Sequence, residues 1–182
     1  MYVTEESNLL EQLKSNSNKE TAFRELVSLY KERLYWHIRN IVKSHDDTDD
    51  VLQNTFIKVY KNIHNFNGDS KLYSWMYRIA TNESLTFIKK RAKQLQITNE
   101  EFQQFAIDNL KADVYFEGDQ IQYKLQQAIT TLPEKQQLVF NMKYFQDIKY
   151  KDMSQILETS EGALKASYHI AVKKIEAYLS NN

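Results

Sequence analysis

The chain carries almost no punctuation: Gly68, Gly118 and Gly162 are its only glycines, and Pro133 its only proline, in 182 residues. β-rich folds need frequent tight turns, which draw on glycine and proline for backbone angles other residues resist. A chain this poor in both is expected to be all-α. Apolar spacing says where the helices lie. Phe23, Leu26, Val27, Tyr30, Leu34, Ile38 and Ile41 recur at three- and four-residue intervals, which predicts an amphipathic helix over residues 21–43. The acids of "SHDDTDD" suit the positive end of a following helix, whose face carries Leu52, Phe56, Val59 and Ile63. The loop "HNFNGDS" then interrupts, and Asp69 or Ser70 is expected to cap a helix from about Lys71 to Arg91.

Beyond Gln94 the periodicity fades and acids collect, as in a linker with room for one short helix. A second helical block opens near Gln120, places Pro133 in a helix's first turn, and runs on through three further elements to Leu179. The expected fold is two small helical domains, residues 1–93 and 120–182, joined by an acidic linker over 94–119. The zero net charge conceals this layout. Residues 1–93 hold 15 Lys+Arg against 12 Asp+Glu, residues 94–131 hold 2 against 6, and residues 132–182 hold 7 against 6. Mildly basic flanks around an acidic middle leave a nucleic-acid partner open despite the neutral total.

The absence of cysteine excludes disulfides and thiolate metal sites and suits a reducing cytoplasm. The first twenty residues lack the basic start and apolar run of a secretory signal, and no stretch approaches the roughly 20 apolar residues of a membrane span. A cytoplasmic protein is expected. His37, His45, His64 and His169 have no second ligand at helical metal-binding spacing, so no metal site is expected. Asp69 and Ser70 near His64 lack a nucleophile elbow, and no glycine-rich phosphate loop exists. No residue is expected to be catalytic, and no cofactor is expected.

The segment "YKDMSQILETSEGALKASYHIAVKKIEAYL" fits a helix-turn-helix. Met153, Ile156 and Leu157 give a short helix its buried face, and Ser160 can cap a second helix whose Leu164 and Tyr168 point inward. Lys165, Ala166, Ser167 and His169 then lie on or beside the outward face, where a recognition helix meets the major groove. An ordinary helical hairpin fits the same pattern.

With the stretch before it, "LPEKQQLVFNMKYF", this segment resembles region 4 of the small bacterial sigma factors of the extracytoplasmic-function type. Leu132, Pro133, Phe140, Tyr144, Leu157, Gly162 and Lys165 carry the likeness. The resemblance implies contacts to an upstream (minus-35) promoter element from Ser160, Glu161, Gly162, Ala163, Lys165, Ala166, Ser167, His169 and Lys173. Glu158 stands where a turn glycine is common, and Ser167, Ile170 and Val172 stand where arginines are frequent. Loss of arginine should weaken stand-alone DNA affinity and change the sequence read.

"DDTDDVLQNTFIKVYKNI" is similar to the region 2 helix that meets the clamp helices of the polymerase β′ subunit. By that resemblance Asp49, Asp50, Gln53 and Asn54 face the polymerase, since exposed acids and amides pair with arginines on a basic coiled coil. The same acids would also complement a helix dipole. Asn54 replaces a common glutamate.

"FNGDSKLYSWMYRIATN" resembles the promoter-melting segment of this family. An unstacked base needs a pocket and aromatic surfaces to hold it outside the duplex. Phe66, Asn67, Gly68, Asp69 and Ser70 form a polar loop, followed by Ser74, Trp75, Arg78 and Asn82 at helical spacing. Lys89, Lys90 and Arg91 lie near the helix end, available for phosphates. Trp75 read alone fits a core aromatic, and the basic run a solvated helix end. The resemblance implies a sigma factor with core RNA polymerase (β′ clamp helices and β flap), promoter DNA and an anti-sigma factor as partners. A stand-alone helix-turn-helix regulator, and a helical module that sequesters a regulator, remain as other readings. Promoter binding without polymerase favours the first of these, and no transcription with core enzyme favours the second.

Overall fold

The computed structural model describes residues 2–15, 18–98, 101, 104 and 120–181, and among them every regular element is helical. Helix α1 (Tyr2–Lys14) leads into α2 (Lys19–Val42) and α3 (His45–Asn62), which a short 3-10 turn (Ile63–Asn65) extends. After the polar loop comes α4 (Leu72–Leu95). The second block is α5 (Gln120–Thr130), α6 (Glu134–Tyr144), α7 (Tyr150–Leu157) and α8 (Glu161–Asn181).

Local chemistry sets most boundaries. Helix α2 stops at Lys43, a left-handed residue (φ 67°) whose N–H returns to the Arg39 carbonyl. Ser44 then caps α3 by accepting from the Asp47 N–H at 3.4 Å, and Asp46 and Asp47 occupy the first turn as the dipole favours. Pro133 stands at the cap of α6 rather than inside its first turn, and its carbonyl accepts from the N–H groups of Gln136 and Gln137. Ser160 caps α8 by accepting from Ala163 N–H at 3.4 Å.

Two expectations need correction. Neither Asp69 nor Ser70 caps α4. The Leu72 N–H instead donates to Glu6 Oε1 at 3.1 Å, so the cap comes from α1, a helix that the sequence pattern did not announce. Asp69 turns back to Asn67, whose Nδ2 donates to its Oδ2 at 2.5 Å. Helix α4 also outruns Arg91 to Leu95, and Thr98 and Glu101 then cap each other's N–H groups. Most of the 94–119 linker lies outside the described residues.

The larger difference is that the two blocks share a core. Leu26, Leu34, Ile38, Leu72, Met76 and Ala80 from the first belong to one buried cluster with Met142, Met153, Ile156 and Leu164 from the second. A separate cluster of Ala128, Ile129, Leu132, Phe140, Ala171 and Ile175 gives the second block a core of its own. Polar bonds cross the junction too. Lys43 Nζ donates to Gln126 Oε1 at 2.6 Å, and Asn141 Nδ2 donates to the Asn40 carbonyl at 3.2 Å.

Candidate nucleic-acid interface

The loop after α3 is built around Gly68, the one described glycine in the left-handed region (φ +87°). No neighbouring atom lies within 4 Å of the place a Cβ would take, so backbone angle rather than space selects glycine here. On either side Asn67 and Asp69 are exposed and bonded to each other. Phe66 is buried and its ring lies 5.4 Å from that of Trp75 at 51°. Trp75 and Arg78 are half-buried on α4, and Asn82 is exposed one turn on.

These residues line two adjoining clefts. The first, about 430 Å³, is bounded by Phe66, Asn67, Asp69, Ser70, Trp75 and Arg78, with Ser154, Gln155 and Glu158 closing the far side. The second, about 170 Å³, holds Arg78 and Asn82 opposite Leu164 and Ser167 of α8. Helix α4 therefore supplies a half-buried aromatic, a cation and an amide along one wall. Trp75 is both a packed aromatic and a wall of the cleft. Ser74 does not belong to this wall: it is buried beneath it, one residue around the helix from Trp75. Lys89, Lys90 and Arg91 are all exposed near the end of α4.

Two cations on this face already hold carboxylates of the second block. Arg78 Nη1 meets Glu158 Oε1 at 3.0 Å, and Lys71 Nζ meets Asp152 Oδ1 at 3.0 Å. Burial alone would raise the Asp152 carboxyl, but hydrogen bonds from Tyr73 and Lys71 outweigh it and hold the group below the usual carboxylate range. Glu158 occupies the left-handed turn position (φ 50°) for which glycine is the unstrained choice.

Behind the wall, His37 is buried against the Tyr77 ring. Its Nε2 lies 2.8 Å from Thr81 Oγ1, and that hydroxyl donates to the Tyr77 carbonyl. The imidazole must therefore donate through Nε2 and accept through Nδ1, where Gln146 of the second block approaches at 3.2 Å. Burial lowers its pKa to about 4. Lys43, buried at the same junction, is lowered to about 7 by burial and by the Arg39 charge.

The remaining candidate residues lie where their spacing puts them, on the surface. Asp49, Asp50, Gln53 and Asn54 are all exposed on α3, while the neighbouring Leu52 and Phe56 are buried. An apolar groove of about 610 Å³ between α2 and α3 runs beside them, with Asp49 and Gln53 on its edge and Phe23, Val27, Phe56 and Tyr60 within. Ser160 at the cap of α8 and Glu161, Gly162, Ala163, Lys165, Ala166, His169 and Lys173 along it are exposed, and Ser167 is half-buried. The Lys165 ammonium sits 5.7 Å from the Tyr150 ring centroid, which ties α8 to α7.

Helix α1 is the part of the site that the sequence pattern left unread. Besides the Glu6 cap, Lys14 Nζ donates to the Phe66 carbonyl at 2.6 Å, so one helix fixes both ends of the loop. Leu9 and Leu13, four apart and both buried, were the available signal.

Two helical blocks, one bearing an acid–amide face and an aromatic-walled cleft, the other a helix-turn-helix, match two family models in that order. Residues 26–94 match "Sigma-70 region 2" and residues 122–175 match "Sigma-70, region 4". The chain belongs to the extracytoplasmic-function sigma factors of the sigma-70 family. Among its relatives, the ECF RNA polymerase sigma factor SigW of Bacillus subtilis is 26% identical over 81% of this chain and 83% of its own length. The RNA polymerase sigma-H factor of Pseudomonas aeruginosa is 28% identical over 87% and 86%. The ECF RNA polymerase sigma-E factor of Haemophilus influenzae is 27% identical over 92% of both. In fold, this sigma factor is similar to CnrH solved with the cytosolic domain of CnrY, with a TM-score of 0.71, 20% identity and coverage of 97% and 98%. It is also similar to RpoE solved with the anti-sigma factor NepR from Bartonella quintana, with a TM-score of 0.66, 18% identity and coverage of 87% and 96%. Among the described residues no helix is long and apolar enough to cross a membrane, and no three His, Cys, Asp or Glu residues gather as metal ligands.

Proposed function

We propose that this sigma factor joins core RNA polymerase through α3, directs it to particular promoters through α8, and captures an unpaired base of the downstream (minus-ten) element in the cleft beside Trp75. The observation that carries the reading is that cleft. A buried Phe66 packs against Trp75, Arg78 offers a cation, Asn67 offers an amide at its rim, and Asn82 offers another in the adjoining cleft. Flipped bases are held by such combinations of aromatic surface, edge hydrogen bonds and phosphate neutralisation. Asp49, Asp50, Gln53 and Asn54 would meet the β′ clamp helices, and the second block would rest on the β flap.

In the arrangement described, Ser154, Gln155 and Glu158 wall the cleft, so the second block must move away before a strand enters. An anti-sigma partner that favours the closed arrangement would hold the protein inactive, and the complex of RpoE with the anti-sigma factor NepR is a precedent for such a partner among its structural relatives. The protein acts without catalysis of its own, in the cytoplasm, where polymerase and chromosome are.

The test is gel-shift and co-sedimentation with core polymerase and a library of promoter fragments. The sigma reading expects the chain to bind core enzyme and to retard selected promoters only in its company. Selective retardation by the chain alone would instead make it a stand-alone regulator.

A further inference from the structure

The family match begins at residue 26, so α1 stands ahead of it with no role attached. Its anchoring is apolar: Leu9 and Leu13 are buried in the main core. Its polar side chains do something more specific. Glu6 and Lys14 are separated by just over two helical turns, about 12 Å along the axis at 1.5 Å per residue. Both end on main-chain atoms of the loop that carries Asn67, Gly68 and Asp69. Lys14 Nζ takes the Phe66 carbonyl at the loop's start, and Glu6 Oε1 takes the Leu72 N–H at its end. Each bond is charge-assisted, and the carboxylate also faces the positive end of α4.

Between these two points the side-chain bonds that tie the loop to itself join Asn67 and Asp69. The position of Phe66 also matters to the cleft, because its ring supports Trp75. We infer that Glu6 and Lys14 are positioning residues for strand capture, and that α1 is a strut holding both ends of the downstream-element loop at a fixed separation. This rests on the reading of that loop as the strand-capture site.

The variants are Lys14→Met and Glu6→Ala, with Lys14→Arg and Glu6→Gln as conservative partners that keep a donor and an acceptor. Leu9 and Leu13 remain to dock the helix in all four. Holoenzyme assembled from each variant is assayed for core binding and for permanganate reactivity of the downstream element on duplex promoter. Lys14→Met and Glu6→Ala are each expected to lower opening about three- to tenfold, less than the full weight of one charge-assisted hydrogen bond because the other anchor still holds the loop, at unchanged core affinity. Lys14→Arg and Glu6→Gln are expected to recover much of it. A second arm needs no polymerase. The chain has two tryptophans, so Trp36→Phe leaves Trp75 as the sole emitter, and its quenching by acrylamide should increase when Lys14 or Glu6 is truncated.

Opening and Trp75 quenching both equal to wild type in Lys14→Met and Glu6→Ala would overturn the inference. So would losses that the conservative variants fail to recover and that core affinity shares equally, since α1 would then serve only stability. A wild-type chain that supports no opening with core polymerase, while Trp75 still responds to Lys14→Met, would overturn the sigma mechanism and leave the strut in place.

Discussion

Asn67 and Asn82 differ from Trp75 in what their loss can mean. Trp75 is half-buried against Phe66, so truncating it would hollow the packing as well as remove a stacking surface. Both asparagines are exposed, and Asn67→Ala or Asn82→Ala should leave thermal stability within about 0.5 kcal/mol of wild type, as surface changes generally do. Calorimetry of the free variants checks this. His37 is the reverse case, a buried group whose charge state is linked to folding. Its folded pKa is about 4 against an ordinary 6.5. As pH falls below 6.5 the unfolded chain takes up a proton that the folded chain refuses, so stability falls towards pH 4. The expected loss between pH 7 and pH 5 is about 2 kcal/mol, read from urea unfolding, and His37→Gln should remove most of it. An equal loss in His37→Gln would assign the pH dependence to other groups.

At the scale of elements, helix positions were legible because apolar spacing is a property of each segment alone. Leu26, Leu34, Ile38, Leu52, Phe56 and Val59 are buried as their intervals require. The exposed α3 face of Asp49, Asp50, Gln53 and Asn54 was legible for the same reason. Asp50→Lys with Gln53→Ala is expected to weaken core-polymerase binding severalfold, with circular dichroism unchanged, since neither side chain is buried in the free protein. Native affinity in a folded double variant would remove this face from the interface. What the sequence hid were choices between equivalent partners. Asp69 and Ser70 are good capping residues on paper, but the Leu72 N–H found a carboxylate 66 residues away. Ser74 shares the α4 stripe with Trp75 and Arg78 yet falls on the buried side, a difference of one position around the helix.

The whole molecule is less divided than its sequence. An acidic stretch between two helical blocks suggested independent domains, and no local pattern could reveal that Met153 and Ile156 would join Leu72 and Met76 in one core. Such packing depends on surfaces contributed by both blocks, and the ion pairs at its edge are secondary. Glu158 is well exposed and Arg78 only half-buried, and Glu158→Gln should change stability by no more than about 1 kcal/mol. Met153, by contrast, is fully buried, and Met153→Ala should cost about 2–5 kcal/mol. Because the core is shared, that loss should appear in the tryptophan signal of the first block and in far-ultraviolet dichroism at the same denaturant concentration. Two separated transitions, with only the second moved, would mean that the blocks fold independently.

The claim that joins these scales is that residues 66–82 hold an unpaired base while polymerase opens the promoter. Permanganate footprinting of the downstream element tests it most directly, using wild type, Asn67→Ala and Asn82→Ala on duplex promoter and on the same promoter carrying a pre-opened mismatched bubble, with core binding assayed alongside. Each base-edge contact is worth on the order of 1–3 kcal/mol, so each variant should lose roughly ten- to hundredfold in opening on duplex while binding core enzyme normally. The bubble should recover part of the loss, because unpairing no longer has to be driven while the capture contact is still missing. Equal opening by wild type and both variants on duplex DNA would contradict the account, and would leave Gly68 as a residue that only turns the chain.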